Sequence, residues 1–201
     1  MIELNGHKDW GEFRSYSIAP LETGSLILAT PFMDDSNFTR TVVLLVEHGA
    51  DGSLGFVLNR PIELNLYQIS YDFKDFNLVH YIGGPVQMDT LHFVHRMGPD
   101  FLGDCMEVAP GIFWGGDIEL VKERIQDNLL EPHQINFYIG YAGWAEGQLE
   151  HEFNRDSWIA LPATPEDVFS GKDRQLWSDV LRTHRAEHRL ISTFPVNPRH
   201  N

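Results

Sequence analysis

The chain has 201 residues, of which 42% are hydrophobic and 12% aromatic; this is enough apolar surface for a packed core and too much for a disordered chain. Its formal net charge of −14 would repel a nucleic-acid backbone over most of the surface, which argues against direct nucleic-acid binding. The single cysteine excludes an internal disulfide and fits a reducing cytoplasm, and no apolar stretch approaches the ~18 residues of a membrane helix.

The first part of the chain predicts strands. Residues 1–23 form a polar lead-in without the apolar region of a secretory signal peptide, so we expect a cytoplasmic protein. Ser25–Thr30 predicts a buried strand, and Thr41–Glu47 with Leu54–Arg60 predicts a hairpin whose loop contains Asp51-Gly52. The first hairpin strand is apolar on both faces, which indicates a sheet that is covered on both sides.

The rest of the chain mixes short strands with helices. Strands are predicted over Val79–Ile82, Leu91–His95, Met106–Val108, Ile112–Trp114 and Ile135–Tyr141, whereas residues 62–78 are ambiguous. Helices are predicted over Asp117–Asn128, Gly147–Arg155, a short turn begun by Thr164-Pro165, and Asp173–His188. Strand and helix do not alternate regularly, so we predict an α+β fold with a largely antiparallel sheet. Without repeats or linkers, residues 1–201 are expected to form a single domain, with a core over 24–181 and a basic tail over 182–201.

Four segments together resemble the AlgH/YqgE family of small bacterial proteins. They are Gly24–His48 (GSLILATPFMDDSNFTRTVVLLVEH), Gly55–Pro61 (GFVLNRP), Tyr81–Val86 (YIGGPV) and Gly140–Glu152 (GYAGWAEGQLEHE). The resemblance covers about residues 24–181 and departs at Gly49, where similar proteins often carry Asn. It implies an α+β fold whose curved sheet approaches a barrel and is surrounded by helices, in a bacterial cytoplasm. The family is largely uncharacterised, and its frequent label is transcriptional regulator.

Polar residues stand at both ends of the predicted hairpin. Glu47 and His48 adjoin its loop, whereas Arg40, Asn59 and Arg60 lie together at the opposite end. In a structural interpretation, Arg40 or Arg60 pairs with a nearby carboxylate. In a functional one, the planar guanidinium of Arg60 binds an anion or a carboxylate group. Both interpretations stay open at this point.

A second candidate site lies where a predicted strand turns into a helix. The Gly140–Glu150 segment is rich in glycine, and the free N–H groups at the helix start can bind an anion. Its spacing matches neither a phosphate-binding loop nor a dinucleotide fingerprint. Trp144 either stacks on a ligand or fills an edge of the core. The candidate ligand-binding residues of this segment are Tyr141, Trp144, Gln148 and Glu150.

No metal site, cofactor or catalytic set is predicted. His184 to His188 matches the H-x-x-E-H pattern of inverted zinc peptidases, but no acidic residue follows Glu187 to supply a third ligand. His92 and His95 are expected on opposite faces of a strand. Asp104 should raise the pKa of the neighbouring Cys105 thiol, and no serine stands in a recognised nucleophile motif.

Three functional hypotheses follow, in decreasing order of support. The first is a non-enzymatic binding or regulatory protein whose partner is another protein or a small anionic ligand. The second is a hydrolase-like enzyme near the Gly140–Glu150 turn, which requires Glu47, His48, Arg60 and that turn to line one cavity. The third is a DNA-binding regulator that uses the arginines of the basic tail.

Overall fold

Ten strands form a mostly antiparallel sheet in the computed structural model, which describes residues 13–62, 80–171, 173–184, 186 and 188–195. The strands are β1 (Ser25–Ala29), β2 (Val42–Gly49), β3 (Gly52–Val57), β4 (Pro61–Ile62), β5 (His80–Ile82), β6 (Val86–His95), β7 (Cys105–Ala109), β8 (Ile112–Gly115), β9 (Ile135–Trp144) and β10 (Trp158–Pro162). Their order is β10-β1-β2-β3-β9-β6-β8-β7, and β5 joins β4 to β9. Only the pairing of β5 with β9 is parallel among the strand pairs described.

In the described part of the chain, six helices surround this sheet. They are α1 (Pro99–Leu102), α2 (Ile118–Gln126), α3 (Gln148–Asn154), α4 (Pro165–Val168), α5 (Leu176–His184) and α6 (His188–Ser192), with short 3-10 helices at Phe13–Tyr16 and Pro132–Gln134. The predicted caps are confirmed: Asp117 accepts from the backbone N–H of Glu119 at 2.8 Å, and Thr164 accepts from that of Asp167 at 3.2 Å. None of the described helices has the length and apolarity needed to span a bilayer.

Strand β9 pairs with other strands along both of its edges. One of its edges pairs with β6, and the other pairs first with β5 and then with β3. Gly83 and Gly84 follow β5 and lie directly against β9: a Cβ atom on Gly84 would be 2.1 Å from the carbonyl carbon of Tyr141, and one on Gly83 would be 2.3 Å from the oxygen of Gly140. At this point the two backbones are too close for any side chain larger than a hydrogen atom.

The sheet curls so that β7, at one end of the strand order, lies close to the segment just before β1. A Cβ atom on Gly24, just before β1, would lie 2.2 Å from the carbonyl oxygen of Val108 in β7. After β6, Arg96 donates to the carbonyl oxygen of Pro165 in α4 at 3.0 Å. The result is a curled, half-barrel sheet surrounded by helices, as the family resemblance implies.

Both faces of the central strands are buried. The inner face of the curl carries Leu28, Leu44, Phe56 and Tyr138, and α5 packs against this cluster. The opposite face carries Val43, Leu45 and Trp158, with Leu149 of α3 over them. Strand β1 and the first five residues of β2 are therefore buried along their length, which confirms the prediction from their continuous apolar run.

Several predicted boundaries are wrong. The loop predicted over residues 48–53 shortens to a two-residue turn, because β2 continues to Gly49 and β3 starts at Gly52. The helix predicted over Asp173–His188 is replaced by α5 and α6, because His184 bonds to Asp167 while His188 bonds to the carbonyl oxygen of Tyr16. Strand β10 is not predicted at all. Residues 63–78 of the ambiguous segment, and the first residue of the strand predicted over Val79–Ile82, lie outside the described residues.

The contact at Gly84 gives a test of the fold. We expect Gly84→Ala to lower the free energy of unfolding by at least about 2 kcal/mol, because the added methyl group meets backbone that cannot move aside easily. Gly49→Ala is the matched control: its Cβ atom would meet nothing within 4 Å, so its effect should stay within about 0.5 kcal/mol. Urea unfolding of the three proteins measures the difference, and equal stability of the two variants would contradict the close approach.

Candidate functional site

The two-residue turn between β2 and β3 fixes which hairpin residues face which side of the sheet. Gly49 pairs with Gly52, so His48 stands opposite Ser53 and Glu47 stands opposite Leu54. Consecutive strand residues point to opposite faces. Glu47 therefore lies on the side of the sheet that carries Leu54, whereas His48 lies on the side covered by α3.

A groove of about 400 Å³ lies at this end of the hairpin. Its volume is within the range of ligand pockets, about 300–1,000 Å³. A Cβ atom on Gly143 would be 3.1 Å from Cε2 of Tyr141, so the tyrosine ring covers the glycine. The charged residues of its lining are two carboxylates, which favour a cation. The lining consists of Glu47, Asp51, Gly52, Ser53, Leu54, Val86, Tyr141, Gly143 and Trp144.

On the other face of the hairpin, the side covered by α3, a polar chain links Ser53 to α3 through His48. His48 Nδ1 is 2.7 Å from Ser53 Oγ, and His48 Nε2 is 3.7 Å from a carboxylate oxygen of Glu150. The His48 side chain is 14% exposed and that of Glu150 is 45% exposed. With its proton on Nε2, facing Glu150, the imidazole accepts the hydroxyl hydrogen of Ser53 at Nδ1.

Trp144 is a structural residue rather than a stacking platform. Its ring centroid is 5.9 Å from those of Phe38 and Trp158, and the residue is only 5% exposed. Glu152 accepts hydrogen bonds from the indole N–H groups of Trp144 at 3.1 Å and Trp158 at 2.8 Å. The core-edge interpretation of Trp144 therefore holds, because its ring and its N–H are both engaged within the protein.

Gln148 also stabilises this region from within. Its amide nitrogen donates to Glu152 at 2.9 Å, and its amide oxygen accepts from the backbone N–H of Ala145 at 3.0 Å. The first N–H group of α3, the backbone N–H of Gln148, is also bonded, because it donates to the carbonyl oxygen of Ala145 at 3.0 Å. The two glutamates of α3 lie two positions apart and diverge: Glu150 approaches His48, whereas Glu152 approaches the tryptophans.

The three residues at the opposite end of the hairpin do not reach the groove. Asn59 accepts from the N–H of Val42 and donates to the carbonyl oxygen of Arg40, at 3.1 and 2.8 Å. Arg60 donates to the carbonyl oxygen of Thr39 at 2.7 Å. These side chains close the open end of the hairpin by bonding its backbone, and no carboxylate is among these partners.

Arg40 connects that end of the hairpin to the C-terminal segment. Its guanidinium lies 3.9 Å from the ring centroid of Trp177 and donates to the carbonyl oxygens of Phe194 and Pro195 at 2.5 and 2.6 Å. Its partners are thus an aromatic face and two backbone oxygens, rather than the carboxylate of a predicted ion pair. The hydrolase hypothesis needed Arg60 in the same cavity as Glu47 and His48, and the structure does not bring them together.

His92, His95 and Cys105 have structural surroundings. His92 packs against Phe56 and Tyr141, with ring centroids 5.2 and 6.0 Å away. His95 is fully buried and bonds to the carbonyl oxygen of Gly115 at 2.8 Å through Nε2. Burial and Asp104 raise the pKa of the Cys105 thiol, as predicted. Among the residues that the structure describes, no three His, Cys, Asp or Glu side chains are grouped to hold a metal ion.

Two residues of the site are missed by the sequence analysis. Ser53 is assigned there to a loop, and only the correct turn length would have placed it opposite His48. The contacts of Glu152 are not foreseen because its partners, Trp144 and Trp158, lie on separate strands. The shared cause is that both contacts depend on strand register, which short sequence patterns specify weakly.

Comparison with known proteins gives consistent matches. A model of the AlgH-like family matches residues 26–189. A UPF0301 protein from Chlorobium chlorochromatii is 42% identical over 178 residues, which are 89% of this chain and 94% of that protein. The crystal structure of DIP2367 from Corynebacterium diphtheriae has a TM-score of 0.80 at 23% identity, covering 94% of this chain and 100% of that one, and shares the fold. The solution structure of AlgH from Pseudomonas aeruginosa has a TM-score of 0.68 at 29% identity, covering 87% and 95%.

The neighbouring glutamates of α3 provide a matched pair for mutagenesis. We expect Glu152→Ala to lower the free energy of unfolding by about 2–3 kcal/mol, since it leaves two indole N–H groups without their acceptor. Glu150→Ala should change it by less than about 0.5 kcal/mol, because the partly exposed pair with His48 is weak. Urea titration followed by tryptophan fluorescence measures both, and equal losses would show that Glu152 has no special role.

The buried His95 predicts a dependence of stability on pH. Burial lowers the pKa of His95 from 6.5, so the unfolded chain takes up its proton at a higher pH than the folded protein does. The stability that the folded protein gains from keeping His95 neutral is therefore complete well above pH 6.5. It is lost as the pH falls toward the folded-state pKa. From about pH 7.5 to about pH 5.5, the wild type should lose roughly 1 kcal/mol more stability than His95→Gln.

The exposed His133 supplies the control for this titration. His133→Gln should show the pH dependence of the wild type, because its side chain is 69% exposed. Urea unfolding at the two pH values measures all three proteins. A pH dependence in His95→Gln equal to that of the wild type would refute the assignment.

Proposed function

The chain belongs to the AlgH-like family, and we propose that its function is to bind a ligand that carries a positive charge in the groove beside the β2–β3 turn. The observation that carries this proposal is the charge of the lining. Glu47 and Asp51 are its two charged side chains, and none of its nine residues is Lys, Arg or His. A carboxylate pair at the edge of a concave surface attracts cations and repels anions.

The uncharged part of the lining narrows the kind of cation. The Tyr141 ring can interact with a cation through its face, while Leu54 and Val86 offer apolar surface to an aliphatic stem. A Lys or Arg side chain combines a charged head with such a stem. We therefore favour a basic segment of a partner protein, with a small organic cation as the alternative occupant.

This proposal reverses the ligand charge expected from the sequence. An anionic ligand was expected because of Arg60 and the start of α3. Arg60 is engaged at the far end of the hairpin, and the amide of Gln148 bonds to the backbone at the start of α3. Neither feature adds positive charge to the groove.

The other sequence-based hypotheses receive less support. In the basic tail, the described Arg182 is within 3.6 Å of Asp179 and bonds to Ser192, so this cation is already partnered within the protein. The net charge of −14 remains the main argument against a nucleic-acid partner. The single cysteine keeps the bacterial cytoplasm as the proposed compartment.

A labelled hexa-arginine peptide tests the proposal. In a fluorescence-anisotropy titration, the double variant Glu47→Gln/Asp51→Asn should bind the peptide about tenfold more weakly than the wild type, since each lost carboxylate contributes roughly 0.7 kcal/mol. Tyr141→Leu should also weaken binding, by about threefold, because the aromatic face is lost. Raising the salt from about 0.05 M to about 0.3 M should lower the affinity of the wild type.

A charge-matched control separates the groove from the acidic surface as a whole. Asp100→Asn/Glu119→Gln removes the same two charges at exposed positions of α1 and α2 and should leave the affinity within about twofold of the wild type. If both double variants lose affinity equally, the peptide binds the general negative surface and the proposal fails. If the wild type does not bind the peptide at low salt, the proposal fails as well.

A further inference from the structure

An aromatic row continues from the groove along the inner face of the curled sheet. It consists of Tyr141, His92 and Trp114, which belong to the neighbouring strands β9, β6 and β8. Tyr141 lines the groove, and its ring meets that of His92 edge to face, with centroids 6.0 Å apart. The centroid of the His92 ring is in turn 6.4 Å from that of Trp114. The row therefore begins at the groove and extends across three strands.

The groove and the aromatic row share one face of the sheet. Leu54 and Tyr141 of the groove and Trp114 of the row pack against the same core cluster, which includes Phe56. The ring centroid of Phe56 is 5.2 Å from that of His92 and 5.9 Å from that of Trp114. A ligand in the groove can therefore reach the row without crossing the sheet.

The row is open to solvent in part. Tyr141, His92 and Trp114 are each partly exposed, and Met106, which pairs with Trp114 between β7 and β8, is 43% exposed. Because directly paired residues share a face, Met106 extends the row to β7, the last strand of the order. Aromatic side chains and methionine are enriched in surfaces that bind other proteins, and adjacent exposed apolar side chains mark such surfaces.

His92 is held in a fixed and neutral form within the row. Its Nε2 is 3.0 Å from Thr90 Oγ1, and the Thr90 hydroxyl donates to the carbonyl oxygen of Gln87 at 2.8 Å. Because that hydroxyl hydrogen is already used, Thr90 accepts the hydrogen on Nε2. Burial lowers the pKa of His92 from 6.5, so the ring is uncharged at neutral pH. The row thus places no positive charge beside the carboxylates of the groove.

The spacing of the row suits an extended peptide. Alternate residues of an extended chain lie on one face, about 6.6 Å apart, which is close to the 6.0 and 6.4 Å steps between the ring centroids. Four residues of such a chain span about 13 Å, enough to reach from Tyr141 to Trp114.

We propose that the groove and the aromatic row form one binding site for an extended segment of a partner protein. A basic residue of this segment lies between Glu47, Asp51 and Tyr141, and an aromatic residue up to four positions away lies against Trp114 and Met106. The place of the basic residue rests on the function proposed above, whereas that of the aromatic residue rests on the row alone. The segment is thus recognised by the combination of a cation and an aromatic side chain, which neither part of the site selects by itself.

Two capped peptides of equal charge test this inference. One has the sequence RRGGGW, in which the second arginine and the tryptophan are four positions apart, and the other, RRGGGA, has alanine in place of the tryptophan. In isothermal titration calorimetry with the full-length protein, RRGGGW should bind about tenfold more tightly, because a seated aromatic side chain contributes a large share of such an affinity.

Variants of the row locate the aromatic subsite. Trp114→Leu should reduce the preference for RRGGGW to within about twofold and leave the affinity for RRGGGA unchanged. Met106→Gln alters an exposed position and leaves the core packing of Trp114 intact; it should weaken RRGGGW binding about threefold. Leu129→Gln is the matched control, since Leu129 is 53% exposed outside the row, and it should bind both peptides as the wild type does. A full preference for RRGGGW in both row variants would overturn the inference.

The outcomes also separate the aromatic row from the function proposed for the groove. Equal affinities for RRGGGW and RRGGGA, both weakened by Glu47→Gln/Asp51→Asn, would refute the row and leave cation binding standing. If the uncharged peptide GGGGGW binds as tightly as RRGGGW and loses affinity in Trp114→Leu, the row stands and the cation preference is refuted. If tryptamine binds as tightly as RRGGGW, the site takes a small organic cation and the peptide proposal fails. If the wild type binds none of these probes, both proposals fail.

Discussion

The approach of the Gly83-Gly84 backbone to Gly140 and Tyr141 is the contact on which the architecture depends. Because neither glycine carries a side chain, the chain after β5 can lie directly against β9. Strand β9 then pairs with β5 and β3 along one edge and with β6 along the other. The last residues of β9, including Tyr141 and Gly143, form part of the groove.

The turn between β2 and β3 lies where the two faces of the sheet differ in chemistry. Its two-residue length places the Glu47 carboxylate in the groove and the His48 imidazole toward α3. A one-residue shift of β3 against β2 would carry Ser53 to the other face and break its hydrogen bond to His48. The acidic groove and the Ser53–His48–Glu150 chain are thus two results of one register, and they lie on opposite faces of the same hairpin.

The features that the sequence predicts well are those set by nearby residues. The strands β1, β5 and β9, the caps Asp117 and Thr164, and the glycine contact follow from local patterns. The sequence analysis fails where a distant partner decides. β10 forms because it pairs with β1, the last predicted helix divides because His184 and His188 bond to different elements, and Arg40 turns to Trp177 and the C-terminal carbonyls. The candidate residues likewise separated into a groove set and a structural set only once the register was known.

The contacts of Arg40 have a consequence for how the chain reaches this state. Its hydrogen bonds to Phe194 and Pro195 join positions 154 and 155 residues apart, and Trp177 donates to Ala29 across 148 residues. Contacts of such long range form slowly, because a large loop must close before they contribute. During synthesis on the ribosome, the β2–β3 hairpin emerges long before the segment that covers its open end. The nascent chain must therefore hold an incomplete half-barrel, with the face beneath α5 uncovered, until nearly the whole protein has been translated.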